Sequence, residues 1–229
     1  MTPRQLAFAL AHSESFARED FLTGPSNEAA LALIEQWPDW PSRVVVLVGP
    51  EGSGKSHLAA IWAQTSGARF VAAGALDVAA VPSALATGAL VIEDVGEPVN
   101  ERPLFHLLNL AREEDASVLI LARTPPSVWK VEVRDLASRL KAFPLVTLAS
   151  PDDVLFRAVL VKLFADRQLT VDESLIGYLV ARIERSFAAA SVTVERLDKE
   201  ALRLQRPVTR ALASEALREL WSGERDNSG

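Results

Sequence analysis

The stretch GPEGSGKS, Gly49 to Ser56, fits the pattern G-x-x-x-x-G-K-[ST] at every fixed position. Gly49, Gly52 and Gly54 free the backbone to bend so that its N–H groups, that of Ser53 among them, converge on phosphate oxygens. Lys55 adds a cation for the β and γ phosphates, and the Ser56 hydroxyl can ligate Mg²⁺. His57 follows in the helix this loop opens; it is counted with the phosphate-side residues and given no catalytic role. Phosphate-loop chemistry also wants an acid at the end of a neighbouring strand, to hold Mg²⁺ and polarise the attacking water. The stretch LVIED supplies Glu93 and Asp94 in that place. Their order, Glu then Asp, reverses the common one and leaves open which of the two faces the metal.

Those residues need elements to hold them. RVVVLVG, ending at Gly49, is a β-branched run without alternation, as a strand buried on both faces requires. A helix is expected from Lys55 to about Gln64. ARFVAAG is a second strand, ALVIEDVG (Ala89 to Gly96) a third, ASVLILART (Ala116 to Thr124) a fourth, and PLVTLAS a fifth. Between the third and fourth, RPLFHLLNLAREED places Leu104, Leu107, Leu108 and Ala111 on one helical face. Apolar strands alternating with helices predict an α/β fold with a parallel five-stranded sheet covered on both faces. The pattern changes at Ser150. SPDD reads as a helix start with Ser150 as the cap, and about four helices follow to Trp221. The expected division is a leader at 1–20, a nucleotide-binding α/β domain at 21–149, a helical domain at 150–222 and a tail at 223–229.

Composition narrows the rest. The 229 residues are 49% hydrophobic and 24% charged, a globular balance. The net charge of −6 disfavours broad, sequence-independent nucleic-acid binding. With no cysteine there are no disulfides or thiolate-bound metals, and the three histidines form no zinc pattern. No apolar run reaches the length of a membrane span, and the apolar start is too short for a secretory signal; a cytoplasmic protein without membrane contact is expected.

A phosphate-loop domain followed by a small helical domain resembles the AAA+ ATPases. FLTGPSNEAA (Phe21 to Ala30) resembles the stretch before the phosphate loop in the bacterial replication initiator DnaA and its relatives. ARTPPSVW resembles their sensor-1 segment, DLASRL the box carrying the arginine finger, and ASVTVERLDKEAL the lid helix carrying sensor 2. The resemblance spans about residues 16–221. It implies an AAA+ nucleotide-binding domain with a helical lid, binding ADP or ATP with Mg²⁺. It implies that Arg139 is an arginine finger reaching a neighbouring subunit's nucleotide, and that Arg196 contacts phosphates from the lid. Sensor 1 departs from the family, which has a short polar or acidic residue there; here Arg123 stands beside Thr124.

The chain reads as stopping after the lid, without the helix-turn-helix domain of DnaA. A DnaA-like module with a short leader is similar to the Hda family, the regulators that inactivate DnaA after replication starts. That family carries a peptide of the form Q-L-x-L-x-L that binds the polymerase sliding clamp. Gln5, Leu6, Phe8 and Leu10 match it, with Phe8 at the middle apolar position. The resemblance implies docking on the clamp, contact with DnaA, stimulation of its ATP hydrolysis with Arg139 in trans, and at most weak intrinsic ATPase activity. Glu93, Asp94 and Arg139 are then the catalytic candidates. Sequence-specific DNA binding is not expected; a homodimer or an AAA+ type oligomer is compatible with the resemblance. The rival reading is a client loader similar to DnaC and IstB, delivering a helicase or transposase. That class wants a client-binding segment and a basic face for single-stranded DNA, and neither is evident.

Overall fold

The computed structural model describes the backbone of residues 16–226 and side chains through residue 218. The expected clamp peptide, Gln5, Leu6, Phe8 and Leu10, lies outside the described residues.

Strand β1 (Val44–Val48) is buried at all five positions, and β4 (Ser117–Ala122) at all six. Strand β3 (Ala89–Val95) is buried through its first four residues. Strands β2 (Arg69–Ala72) and β5 (Leu145–Thr147) are shorter and more exposed, because they form the two edges. The order is β2-β3-β4-β1-β5 and every pairing is parallel, as the unbroken apolar runs predicted.

Alternation along each central strand feeds two separate cores. Val44, Val46, Val48, Leu90, Ile92, Val118 and Ile120 face one side. There they meet helices α3 (Val81–Leu85), α4 (Glu101–Glu113) and α5 (Arg134–Ala142), through residues such as Leu85, Leu107 and Leu136. Val45, Leu47, Val91, Leu119 and Leu121 face the other side, against α1 (Glu28–Glu35) and α2 (Lys55–Ser66). On that side Trp62 is fully buried, stacked on Trp40 with ring centroids 4.8 Å apart and edge-on to Trp37. Such burial is worth about 1.5–3 kcal/mol per large side chain, which fixes α2 and therefore the loop that precedes it. The five-residue α3 was not foreseen: it is too short for helical periodicity to show.

Four helices follow: α6 (Asp153–Asp166), α7 (Glu173–Val180), α8 (Phe187–Leu204) and α9 (Arg210–Asp226). They have their own core, with Phe156, Phe164, Leu175, Leu179, Val194 and Leu197 at its centre. All four starts carry side-chain caps. Leu155 N–H donates to Asp152 at 2.8 Å, Leu175 N–H to Asp172 at 2.8 Å, Ala189 N–H to Ser186 at 3.0 Å, and at the start of α9 Leu212 N–H to Thr209 Oγ1 at 3.3 Å. The first corrects the expectation for Ser150: the cap is Asp152, and Ser150 and Pro151 stay outside the helix. Among the described residues no helix is long and apolar enough to cross a membrane.

Candidate functional site

Where β1 ends, the chain turns through Gly49–Gly54 into α2. Gly52 and Gly54 take left-handed backbone angles, φ +69° and +95°, open to glycine at no steric cost. Gly49 is a matter of space: a Cβ there would stand 2.7 Å from Ser53 Oγ and 2.8 Å from the Leu148 carbonyl oxygen. The Ser53 side chain accordingly turns inward and is buried, and its N–H donates to the Pro50 carbonyl at 3.3 Å. Lys55 bends back over the loop and donates to the Gly49 and Pro50 carbonyls, each at 2.7 Å. Burial, and next the nearby Arg123 charge, hold its ammonium below the usual lysine range; Asp94 and Glu51 pull the other way. An anion bound beside Lys55 would favour its charged form.

The loop opens on a cavity of about 570 Å³ lined by Gly52, Gly54, Lys55, Ser56 and His57 from one side and by α6 and α8 from the other. Phe21 and Phe187 both pack over Gly54, and Phe16 and Phe21 stand edge-on to the His57 ring, with centroids 5.3 and 5.2 Å away. His57 Nε2 also lies 3.1 Å from the Ala17 carbonyl oxygen, so it secures this wall rather than facing a reaction. The N-terminus of α8 docks directly on the loop: Phe187 N–H donates to the Gly52 carbonyl at 2.8 Å. Two helix N-termini, those of α2 and α8, therefore meet at the loop, a favourable field for phosphate. The aromatic wall (Phe16, Phe21, Phe187) and Lys162 were not foreseen. They come from distant segments with no shared spacing, and only the fold assembles them.

The acids sit differently from the expectation. Strand β3 does not neighbour β1; β4 lies between them. Arg123 and Thr124, at the end of β4, thus stand between the phosphate loop and Glu93 and Asp94. A register shift between Ile92 and Val95 swings Asp94 out of the ladder at φ +54°. Glu93 stays paired with Ala72 of β2, whereas the Asp94 charge reaches Lys55. Of the two, Asp94 is the one whose charge acts on Lys55 of the loop. Among the described residues no group of three His, Cys, Asp or Glu side chains gathers to hold a metal alone.

The two arginines stand apart from the cavity. Arg139, on α5, pairs with Asp135 at 2.6 Å, donates to Asn109 Oδ1 at 2.6 Å and lies over the Phe105 ring at 5.4 Å. It does not line the cavity at the loop. Arg196 is on α8, beyond the residues Phe187, Ala188 and Ser191 by which that helix lines the cavity.

A five-stranded parallel sheet in this order, with a phosphate loop after β1 and a helical part closing over it, is the AAA+ α/β fold. The chain resembles domain III of the Thermotoga maritima replication initiation protein DnaA, with a TM-score of 0.75 at 16% identity, over 89% of this chain and 96% of that one. AMPPCP-bound DnaA from Aquifex aeolicus gives 0.67 at 18% identity, over 92% and 70%. The RuvB Holliday junction branch migration motor of T. maritima gives 0.73 at 16% identity, over 90% and 72%. No family model and no curated protein sequence matches the chain. The expected fold class is therefore met: a DnaA-like AAA+ fold.

Proposed function

We propose that the chain is a DnaA-related regulator of the Hda type that binds adenine nucleotide, ADP or ATP, with Mg²⁺. The observation that carries nucleotide binding is the loop itself. Two glycines in left-handed conformation turn it between a buried strand and a helix, and it opens on a cavity closed by the helical lid. The solved structure of DnaA with AMPPCP supports an adenine nucleotide in such a fold. Lys55, Ser56 and the loop backbone hold the phosphates. Asp94, with Glu93 beside it, serves the metal, and the reversed acid pair keeps intrinsic hydrolysis weak.

Arg139 acts on a partner's nucleotide. Its place on α5, away from its own cavity and held by Asp135, Asn109 and Phe105, supports a pre-set guanidinium presented to a neighbouring AAA+ module. An arginine supplied in trans can raise hydrolysis by about 10³–10⁵, so the regulator needs little catalysis of its own. Gln5, Leu6, Phe8 and Leu10 dock on the DNA-loaded sliding clamp, which concentrates the protein where DnaA is to be switched off. The division into leader, α/β domain, lid and tail at residues 20, 149 and 222 belongs to this reading, as does a cytoplasmic location.

The test is the ATPase rate of DnaA with clamp loaded on DNA, with and without this protein. Stimulation is expected, and Arg139→Ala should abolish it while nucleotide binding persists. Joint replacement of Gln5, Leu6 and Phe8 by alanine should abolish clamp capture. No stimulation by the intact protein would overturn the reading. Tight, salt-sensitive binding to single-stranded DNA would favour a client loader instead.

A further inference from the structure

Two cations and two carboxylates meet where β1 and β4 end. Glu51 occupies a position that the G-x-x-x-x-G-K-[ST] pattern leaves open, inside the phosphate loop. Its carboxylate pairs with Arg123 at 2.9 Å, and the two side chains are 73% and 61% exposed. A pair so exposed adds little to stability, so the fold has no need of it. Yet it places a carboxylate on a loop whose N–H groups, helix N-terminus and Lys55 all attract anions.

The direction of a bound polyphosphate follows from the cavities. The aromatic residues and lid wall one side, and from there Gly52, Gly54, Lys55 and Ser56 lead along the loop. Arg123 and Asp94 line a different cavity of about 780 Å³, beyond the end of the sheet. Lys55 stands at the junction, lining the first cavity while within electrostatic reach of Arg123, Asp94 and Glu51. A nucleotide with its base at the aromatic end runs its phosphates over the loop, and the last of them arrives beside Arg123. A guanidinium fork suits carboxylate and phosphate oxygens alike.

We propose that Glu51 is a built-in phosphate mimic, which holds Arg123 until the terminal phosphate of a nucleoside triphosphate displaces it. The pair then sets how strongly the site prefers triphosphate over diphosphate. A diphosphate ends short of Arg123 and leaves the Glu51 pair intact. A triphosphate must exchange one acceptor for another and gains only the difference. This rests on the nucleotide reading of the site.

The test measures affinities of the full-length protein for AMPPCP and ADP by calorimetry, in the wild type, Glu51→Gln, Arg123→Ala and the double variant. Glu51→Gln should tighten AMPPCP about tenfold more than ADP, as expected for freeing one charge-assisted contact. Arg123→Ala should weaken AMPPCP and spare ADP. In the Arg123→Ala background, Glu51→Gln should favour AMPPCP over ADP much less than in the wild type, since only repulsion between Glu51 and the phosphate charge is then removed. Equal effects of Glu51→Gln on both nucleotides in the wild-type background would overturn the proposal. So would a lowered melting temperature with unchanged nucleotide preference, which is the mark of a structural pair. Lys55→Ala separates the two levels. If it leaves affinity unchanged, or the wild type binds neither nucleotide, the nucleotide reading itself falls and takes this inference with it.

Discussion

Lys55 carries the clearest residue-scale consequence. Its ammonium sits below the ordinary lysine range, chiefly through burial and next through Arg123, and bound phosphate would stabilise the charged form. Binding therefore favours the protonated lysine. Nucleotide affinity should be greatest at neutral pH and fall as pH rises through the lowered value, earlier than for an unperturbed lysine with its value of 10.5. Titration of affinity from pH 7 to 10 checks this, and Lys55→Ala should remove the pH dependence while weakening binding at least tenfold. Gly52 makes a second prediction. At φ +69° a side chain is strained, and a Cβ would lie 2.9 Å from both Ala188 Cβ and Ser186 Cβ. Gly52→Ala should cost roughly 1–2 kcal/mol from backbone strain alone and should also push α8 off the loop. Thermal melting reads the first effect, and loss of nucleotide affinity the second.

At the scale of elements, the cap of α6 offers a sharp contrast. Asp152→Ala should destabilise by about 0.5–2 kcal/mol, and Asp152→Asn by much less. Ser150→Ala should be neutral, because Leu155 N–H bonds to Asp152 and α6 starts after it. Urea unfolding of the three variants decides between the two starts. Both residues are good caps in isolation, so spacing could not separate them; the winner depends on where the chain leaves β5. The same limit explains what else was legible. The strands and the long amphipathic helices were plain, because each central strand is apolar on both faces and Leu104, Leu107 and Leu108 repeat at helical spacing. The loop was plain because three glycines, Lys55 and Ser56 lie within eight residues. Strand order was not. Chain order puts the acids of β3 after β2, and only the crossover that inserts β4 next to β1 brings Arg123 between loop and acids. Nothing in local composition records that crossover. The bulge that takes Asp94 out of the ladder likewise shows only in the β3–β4 register.

At the scale of the whole molecule, the lid has its own core, and among the described residues it meets the rest of the chain at the phosphate loop and along residues 20–24. Phe187 N–H bonds to Gly52, Leu155 packs on Gly24, and Lys162 pairs with Asp20 at 2.7 Å. Lys162 also reaches Asp166 of its own helix at 2.9 Å. Its hydrogen bonds to Asp20, then to Asp166, raise its pKa above the ordinary 10.5. The protonated lysine therefore favours the folded form. Its contribution is complete below that value and is lost as pH rises through the raised one. At neutral pH the strap is fully formed, and Lys162→Gln imitates its loss. A nucleotide filling the cavity would touch both parts at once, so binding energy becomes lid–core coupling. At a ligand concentration 100 times Kd the gain is about 2.7 kcal/mol, or a rise in Tm of roughly 5–10 °C for a chain of this size. Lys162→Gln should shrink that rise more than it lowers the Tm of the protein without nucleotide, because the lid keeps its own core but closes less firmly over the ligand. Hydrogen exchange locates the effect. Nucleotide should slow exchange in the first turn of α8 and around Gly52 in the wild type, and slow it less in Lys162→Gln. Equal protection in the two proteins would mean that the lid closes without the strap, leaving the α8–loop and Leu155–Gly24 contacts to carry the coupling.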